Sequence, residues 1–312
     1  MSGNQGAGEL KRRTPHARKK ERIKVSDMEE RYKRLGFLGK GATAEVFLVE
    51  ESCTGNYYAM KVGGQGELLK WEAELLYSLQ GSCFPGIKEY TKKNREYLVM
   101  EYIEGISLQE LLDREQRLEQ GEILYIMEGI LGALDKLHKH QPSIIYRDLK
   151  PANVMIEKTG KIRLIDLGAA CLERGSVGTS QDSPASFTQV GTYGYAAPEQ
   201  FWQGVRLDRT CDIYAAGKVL AYLLSGKNPA EPPYNMERFC REVRGVPEPF
   251  WEVMERSLAP EPHARYEDCE SMRREVHRAF EENAKRKLRK IPKKRTCSYK
   301  KCIWKSEYRR IF

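Results

Sequence analysis

The sequence predicts an α+β fold in which a small β-rich N-terminal lobe with one main helix precedes a larger, mostly helical C-terminal lobe. Two patterns predict this. Short apolar segments of strand character alternate with turns up to about residue 103, and helical spacing dominates the chain after that point. A hydrophobic content of 40% over 312 residues is enough to build a core and excludes a wholly disordered chain.

The N-terminal lobe is expected to hold five strands and one helix. Apolar residues at 68, 69, 75, 76 and 79 follow the spacing of an amphipathic helix over 67–79. The strands are expected near 32–38, 39–49 (which opens with a glycine turn), 57–62, 87–91 and 96–101.

The C-terminal lobe begins after Glu104 and Gly105, where helical spacing takes over. Its second helix is expected to end before Pro142. A long polar segment rich in Ser, Thr and Gly follows Gly168, and segments of that length are usually functional or disordered. The helices are expected at 107–115, 119–139, 211–225, 235–243, 249–258 and 268–282.

Charge is distributed unevenly along the chain. Residues 1–24 carry eight Lys/Arg against two acids, a net +6, and residues 285–312 carry thirteen against one, a net +12. Because the whole chain has a net charge of +9, the part between them is acidic, with −9. The sequence therefore predicts a flexible basic arm over 1–28, a folded domain over 29–283 whose lobes meet between 103 and 104, and a basic tail over 284–312.

Membrane insertion and secretion are both disfavoured. No stretch approaches the roughly 18 consecutive apolar residues of a membrane-spanning helix, and the basic N-terminus lacks the apolar core of a secretory signal. The eight cysteines are scattered, and the C-x4-C pair Cys297 and Cys302 has no second pair to complete a zinc site. Reduced thiols and a cytoplasmic location are expected, with peripheral binding at the inner membrane surface as an alternative.

Two apolar segments that end in polar turns carry the predicted chemistry. In 144–153, Asp148 could accept a proton from an attacking hydroxyl and Lys150 could neutralise a transferring phosphoryl group. Asn153 and Asp166 supply hard oxygen ligands of the kind that bind magnesium. The alternative, a buried loop with unrelated charges, is disfavoured because the two patterns occur together and in this order.

These segments resemble the catalytic loop and the magnesium loop of eukaryotic-type (Hanks-type) Ser/Thr protein kinases. Tyr146 stands where that family more often has His, and Leu167 where it usually has Phe, and both keep a bulky side chain that can pack. The resemblance covers about 32–282, and the amino-acid sequence of the catalytic loop is similar to that of bacterial members. It implies a bilobal kinase fold that uses ATP with magnesium or manganese.

The resemblance places a phosphate-binding loop and a lysine in the N-terminal lobe. Gly39, Gly41 and Val46 match a glycine-rich loop in which Ala44 replaces the third glycine, and a hairpin with glycine at its turn is the alternative. Lys61 occupies the position that binds the α- and β-phosphates. The implied nucleotide-binding residues are Leu38, Gly39, Gly41, Val46, Ala59, Lys61, Met100, Glu101 and Ile103, with Met100 beside the adenine and the backbone of Glu101 and Ile103 bonded to it.

Glu72 is the expected partner of Lys61, because Leu75 and Leu76 lie three and four residues on and share its face of the helix. Glu74 is the second choice. Glu67 is expected to be a first-turn residue that interacts with the helix dipole.

The later motifs resemble the peptide-docking end of a kinase activation segment and its support. Glu199 would pair with Arg265, and Asp212 would brace the backbone of the catalytic loop. Lys150 and Thr192 are typical of Ser/Thr-directed members, so the resemblance implies a protein acceptor rather than a small molecule.

Regulation is predicted at Thr188, where the family often carries its activating phosphate. Arg147, directly before Asp148, would bind that phosphate, and Thr192 lies at the end of the same segment. The alternative is that Thr188 is an ordinary loop residue. Autophosphorylation within 176–192 is the expectation, which implies a transient homodimer.

The function expected from the resemblance is a Ser/Thr protein kinase in which Asp148, Lys150, Asn153, Asp166, Lys61 and Glu72 are catalytic. The alternatives are a non-catalytic scaffold with the same fold and a small-molecule phosphotransferase. Four interpretations stay open for the basic tail: anionic lipid, nucleic acid, the acidic kinase body, or solvent alone.

Overall fold

A five-stranded antiparallel sheet forms the N-terminal lobe. The structure, a computed structural model, describes residues 27–289 apart from 42, 65–66, 80, 82, 116, 174–190, 203–204 and 232–245. The sheet order is β1-β2-β3-β5-β4. Its elements are α1 (Asp27–Arg31), β1 (Tyr32–Lys40), β2 (Ala44–Glu51), β3 (Tyr57–Gly63), α2 (Leu68–Ser78), β4 (Ile87–Lys92) and β5 (Glu96–Glu101).

The C-terminal lobe is mostly helical, and its short strands carry the loops of the candidate site. Strands β6, β8 and β9 form one small sheet, and β7 pairs with β10. The elements are β6 (Gly105–Ser107), α3 (Leu108–Arg114), α4 (Gln120–His138), β7 (Ile144–Ile145), β8 (Val154–Glu157), β9 (Ile162–Leu164), β10 (Cys171–Leu172), α5 (Thr210–Ser225), α6 (Glu248–Ser257) and α7 (Cys269–Arg289), with 3-10 turns at Pro151–Asn153, Pro198–Phe201 and Pro262–Ala264.

The core of the C-terminal lobe is built around α5. Every residue from position 211 to 223 on this helix is buried, which is the pattern of a helix surrounded by protein on all sides. The helix ends at Gly226, whose φ of 68° is readily adopted by glycine. Helix α3 begins with a capping box in which Ser107 and Glu110 each bond to the other's backbone N–H.

The predicted fold class is confirmed, since a β-rich N-terminal region precedes a helical C-terminal region. The boundary of the N-terminal arm is corrected. Helix α1 begins at Asp27, and Met28 is buried in a cluster with Tyr32 and Val49, so the ordered chain includes the last residues assigned to the arm. The apolar side chain of Met28 explains the order, because burying it removes apolar surface from water.

The C-terminal boundary is also corrected, because α7 continues past the predicted end at 282 to Arg289. Lys285 and Arg286 near this end form ion pairs with glutamates one turn earlier, and Arg286 also reaches Glu248 on α6 at 2.6 Å. Asn283 is buried. The predicted helix at 235–243, residues 1–26 and residues 290–312 lie outside the described residues.

No helix within the described ranges is long and apolar enough to cross a membrane. Cys53, Cys83, Cys171, Cys211 and Cys269 are free thiols.

Candidate active site

A buried lysine connects the two lobes. Lys61 on β3 lies with its Nζ 2.6 and 2.8 Å from the two carboxylate oxygens of Glu72 on α2, and 2.8 Å from Oδ1 of Asp166, which follows β9. Lys61 is 7% exposed and Glu72 is 1% exposed. Of the glutamates considered as its partner, Glu74 is exposed near Lys70, and Glu67 is paired with Lys92 rather than lying in the first helical turn.

Burial and the two carboxylates act in opposite directions on the charge of Lys61. Burial lowers the pKa of the lysine, but the charges of Glu72 and Asp166 outweigh burial and raise that pKa above its ordinary value. Burial likewise raises the pKa of Asp166, but Lys61 holds it below the ordinary value. Lys61 and Asp166 are therefore a cation and an anion at neutral pH.

Asp166 sits in a short turn with an unusual backbone. Its φ is 64°, a left-handed conformation that aspartate adopts more readily than most residues. The carboxylate accepts a hydrogen bond from the N–H of Gly168 at 3.2 Å. Tyr146, buried beneath the turn, donates its hydroxyl to the carbonyl of Ile165. Tyrosine at 146 thus keeps the bulk expected there and adds a hydrogen bond between the two loops.

Four polar side chains converge at the catalytic loop. Lys150 Nζ lies 2.7 Å from Asp148 Oδ2 and 2.8 Å from Thr192 Oγ1, and Thr192 donates to Asp148 Oδ1 at 2.7 Å. Asn153 Nδ2 donates to the carbonyl oxygen and to Oδ2 of Asp148 at 2.9 and 3.0 Å. The arrangement places a cation and a hydroxyl on a single carboxylate.

A buried aspartate braces the backbone of this loop from below. Asp212 on α5 accepts hydrogen bonds from the N–H groups of Tyr146 and Arg147, both at 2.8 Å. His138 also lies 2.8 Å from Asp212 through its Nε2. Because Arg147 has a φ of 70°, the two hydrogen bonds stabilise a strained backbone next to Asp148.

The predicted ion pair between Glu199 and Arg265 is present and buried, with distances of 2.5 and 2.9 Å. It joins the 3-10 turn at Pro198–Phe201 to the segment before α7. Arg147 itself is 2% exposed. Thr188 lies outside the described residues, so the structure does not bear on a phosphate there.

The nucleotide-binding residues predicted from the sequence line one part of the N-terminal sheet. Ala59 pairs with Met100 across β3 and β5, and Val46 pairs with Lys61 across β2 and β3. Cross-strand partners project on the same face of a sheet. Leu38 is exposed. Glu101 ends β5, and the buried Ile103 follows it.

The glycine-rich turn fits a bound phosphate chain. A Cβ on Gly39 would meet no atom of the described residues within 4 Å, and one on Gly41 would meet only the carbonyl of Ala44, at 3.7 Å. Neither glycine has a positive φ. Since the fold itself does not demand glycine at either position, the residues suit a loop whose backbone must approach a ligand closely.

The residues proposed to bind magnesium could hold the ion only if phosphate oxygens supplied further ligands. Within the part of the chain described, no group of three or more His, Cys, Asp or Glu side chains could hold a metal ion. Asn153 uses its amide nitrogen toward Asp148, which leaves its amide oxygen directed elsewhere. Magnesium is commonly held by one or two carboxylates together with substrate phosphates; here Asp166 supplies one carboxylate and Asn153 an amide oxygen.

Comparison with known proteins identifies the family. The sequence model of the protein kinase domain family matches residues 32–303, which is most of the chain. The chain belongs to the protein kinase domain family. The lysine, the aspartates and the asparagine described above lie within the matched part of this kinase domain.

Curated relatives in bacteria are named Ser/Thr protein kinases, which confirms the predicted resemblance. Serine/threonine-protein kinase PrkC of Bacillus subtilis is 29% identical over 80% of this chain and 41% of its own length. A probable serine/threonine-protein kinase PknB of Lactococcus lactis is 28% identical over 79% of this chain and 42% of its own, and PknA of a Nostoc species is 29% identical over 78% and 46%. The chain spans less than half the length of these relatives.

Four polar residues of this kinase domain matter structurally and were not found by sequence reasoning: Trp71, Glu96, His138 and Arg163. Each is buried or half-buried and bonds to a partner at least 27 residues away in sequence. The sequence signal that could have indicated Glu96 and Arg163 is a charged residue beside apolar residues on a short strand. Such a charge needs a partner when the strand is buried.

Proposed function

We propose that this protein is a Ser/Thr protein kinase that transfers the γ-phosphoryl group of Mg-ATP to Ser or Thr hydroxyls of protein substrates. The observation that carries the proposal is the connection from the buried pair of Glu72 and Lys61 to the half-exposed Asp166, which spans both lobes. A lysine held between two acids is positioned by the protein rather than by solvent, as a phosphate-binding group must be.

The chain's own residues divide the work in this proposal. Lys61, oriented by Glu72, binds phosphate oxygens, and Asp166 with Asn153 would hold the metal. A bound magnesium ion would supply charge stabilisation at the transferring phosphoryl group. Asp148 orients the acceptor hydroxyl and takes its proton, and Lys150 offsets negative charge near that acceptor.

The geometry around Thr192 supports a Ser/Thr acceptor. The Thr192 hydroxyl donates a hydrogen bond to Asp148 and accepts one from Lys150. These two bonds join the end of the activation segment to the catalytic loop. An acceptor serine or threonine would bring a similar hydroxyl to the same carboxylate. The names of the bacterial relatives agree with this acceptor class.

A non-catalytic scaffold with the same fold is the second candidate. It is disfavoured because every catalytic position predicted from the sequence carries the residue type that phosphoryl transfer requires. Two clusters of contacts support this: Lys61 with Glu72 and Asp166, and Asp148 with Lys150 and Asn153. A small-molecule phosphotransferase is disfavoured by the buried pair of Glu199 and Arg265, which supports a peptide-docking segment.

The test uses purified full-length protein, casein as acceptor, magnesium and labelled ATP. Asp166→Ala should reduce phosphate incorporation about a hundredfold or more, because it removes a carboxylate that acts on the transferring group. Asp113→Asn, on an exposed position of α3, is the matched control and should retain activity. Equal incorporation by the wild type and Asp166→Ala, or a wild type that neither binds nucleotide nor transfers phosphate, would contradict the proposal.

Autophosphorylation of residues 176–192, chiefly at Thr188, is part of the same proposal. Arg147, next to the catalytic aspartate, supports it as the residue that would bind the new phosphate. Phosphopeptide mapping after incubation with ATP, with Asp148→Asn as control, should find phosphate in this segment of the wild type only.

The basic tail is proposed to contact anionic lipid, with nucleic acid, the kinase body and solvent as the other outcomes. Sedimentation with anionic vesicles at two salt concentrations, with and without 290–312, tests the lipid contact, because lipid attraction through charge weakens with salt. Equal sedimentation with and without these residues would contradict it.

A further inference from the structure

Helix α2 contacts the turn after Asp166 through two adjacent residues. Glu72 accepts a hydrogen bond from the N–H of Leu167 at 3.2 Å. Its neighbour Trp71 donates its indole Nε1–H to the carbonyl oxygen of Ala170 at 2.7 Å. The turn is closed by the N–H of Ala170, which donates to the carbonyl of Leu167 at 3.0 Å. The helix thus holds both ends of one turn.

The bond from Trp71 is hard to replace once it is broken. Ala170 and Leu167 are fully buried while Trp71 is in place, so a side chain that keeps this cover but lacks the indole N–H leaves the carbonyl without a donor. A buried carbonyl that loses its donor carries a desolvation cost larger than the net value of an ordinary hydrogen bond. Withdrawal of α2 from the turn is therefore opposed at Trp71 as well as at Glu72.

The same helix orients Lys61, so its position affects the whole candidate site. Lys61 pairs with both Glu72 and Asp166, and Asp166 begins the turn that Trp71 holds. If α2 moves outward, the distance between Lys61 and Glu72 increases. At the same time the turn after Asp166 loses its hydrogen bonds to the helix.

We propose that Trp71 is a positioning residue, which holds α2 and the turn at 167–170 together as one unit and so keeps Glu72 on Lys61. Its kinetic consequence rests on the proposed kinase function. Its conformational consequence does not, because it concerns only the contact between the helix and the turn.

The test compares Trp71→Phe with Trp251→Phe in the full-length protein. Trp251, on α6, is also half-buried against the main core and donates its indole N–H to a backbone carbonyl, that of Val246, at 3.1 Å. Both changes remove one indole donor and the same volume, but Trp251 is in the C-terminal lobe and does not contact the site. A general loss of packing would affect both variants alike.

Hydrogen–deuterium exchange is the first measurement. Amides in 68–78 and 164–173 should exchange about three- to tenfold faster in Trp71→Phe, the factor expected for one lost hydrogen bond, and should be unchanged in Trp251→Phe. Unchanged exchange in Trp71→Phe, or the same increase in both variants, would overturn the proposal. This result is informative even if the wild type transfers no phosphate.

Steady-state kinetics is the second measurement. Trp71→Phe should lower kcat/KM for ATP about three- to tenfold and leave KM for casein unchanged, because the cluster of Asp148 and Thr192 is untouched. Trp251→Phe should match the wild type in both. An inactive wild type would count against the proposed function alone, whereas faster exchange with unaltered kcat/KM for ATP would remove the catalytic part of the role of Trp71.

Discussion

Tyr146 shows how one side chain can join two loops that each carry an aspartate proposed to act in catalysis. Its ring is fully buried, its backbone N–H is held by Asp212, and its hydroxyl donates to the carbonyl of Ile165, the residue before Asp166. Burial is the main cause of a Tyr146 pKa well above the ordinary value, so the hydroxyl keeps its proton and remains a donor.

Tyr146→Phe should lower both stability and activity. It leaves the half-buried carbonyl of Ile165 without its donor, which costs about 1–3 kcal/mol of unfolding free energy, and it frees the turn that holds Asp166. Urea unfolding and phosphate transfer to casein are the measurements. Tyr125→Phe is the control, because Tyr125 also donates to a carbonyl, that of Gly160, away from the site. A Tyr146→Phe variant with normal kcat would show that the hydroxyl does not position Asp166.

Glu72 should set the acid limit of activity. Burial raises the pKa of Glu72 above its ordinary value of 4.5, whereas Lys61 holds the pKa of Asp166 below 3.8. As the pH falls, Glu72 therefore takes up a proton before Asp166 does, and the pair with Lys61 weakens. We expect kcat/KM for ATP to fall on the acid side with a midpoint above 4.5.

The measurement is a rate profile between about pH 4 and pH 8 at constant ionic strength, with circular dichroism to show that the fold persists. A midpoint below that of an ordinary glutamate would contradict the assignment to Glu72.

At the scale of the element, α2 is anchored at its start by a residue from another strand. Glu96 at the beginning of β5 is fully buried and accepts hydrogen bonds from the N–H groups of Leu68 and Leu69, at 2.9 and 3.2 Å. Tyr90 donates its hydroxyl to the same carboxylate at 2.8 Å. The helix's own preceding residue, Glu67, provides no side-chain cap. A remote carboxylate thus replaces the usual local cap and fixes where α2 begins.

Glu96→Gln should destabilise the protein by about 1–3 kcal/mol, because the charge that faces the helix N-terminus is lost and an amide N–H₂ group enters a site of donors. Glu74→Gln, on the exposed face of α2, is the control and should change the unfolding free energy little. Chemical denaturation of both variants decides. Equal stability of the two variants would mean that the buried carboxylate does not stabilise the helix start.

At the scale of the whole molecule, Arg163 joins the two lobes through its side-chain contacts. This buried residue of β9 bonds to Glu101 at the end of β5 at 2.5 Å, to the carbonyl of Phe84 at 2.6 Å, and to Glu157 on β8 at 2.6 Å. Burial raises the pKa of Glu101, but Arg163 and the N–H of Gly86 outweigh burial and lower it. The connection between the lobes is therefore an ion-pair network as well as a chain segment.

Arg163→Met should lower the unfolding free energy by about 3 kcal/mol, because it leaves Glu157 partly buried without its cation. It should also weaken ATP binding, since Glu101 lies where the base is proposed to bind. Arg278→Met is the control: Arg278 also has several glutamate partners, but it is exposed, so its loss should have little effect. Thermal unfolding with and without ATP measures both the stability and the ATP binding of each variant. If ATP stabilises Arg163→Met as much as the wild type, Arg163 does not support nucleotide binding where the two lobes meet.

The sequence by itself predicted the fold class and, through short motifs and the family resemblance that they carry, most candidate site residues, because such motifs are local in the chain. Asp148, Lys150 and Asn153 lie within one loop, and Glu72 was chosen by the helix face it shares with Leu75. Element ends were less well predicted: Met28 is ordered because it is buried, and the last turns of α7 are stabilised by ion pairs of Lys285 and Arg286 with glutamates.

Only the tertiary structure showed the contacts between distant groups that no motif had predicted. The contacts of Trp71 with Ala170, Glu96 with Leu68, and Arg163 with Glu101 join separate parts of the chain. A side chain's spacing reports the element on which it lies, but its partner depends on how those elements pack, and in a buried site that partner fixes its charge and position.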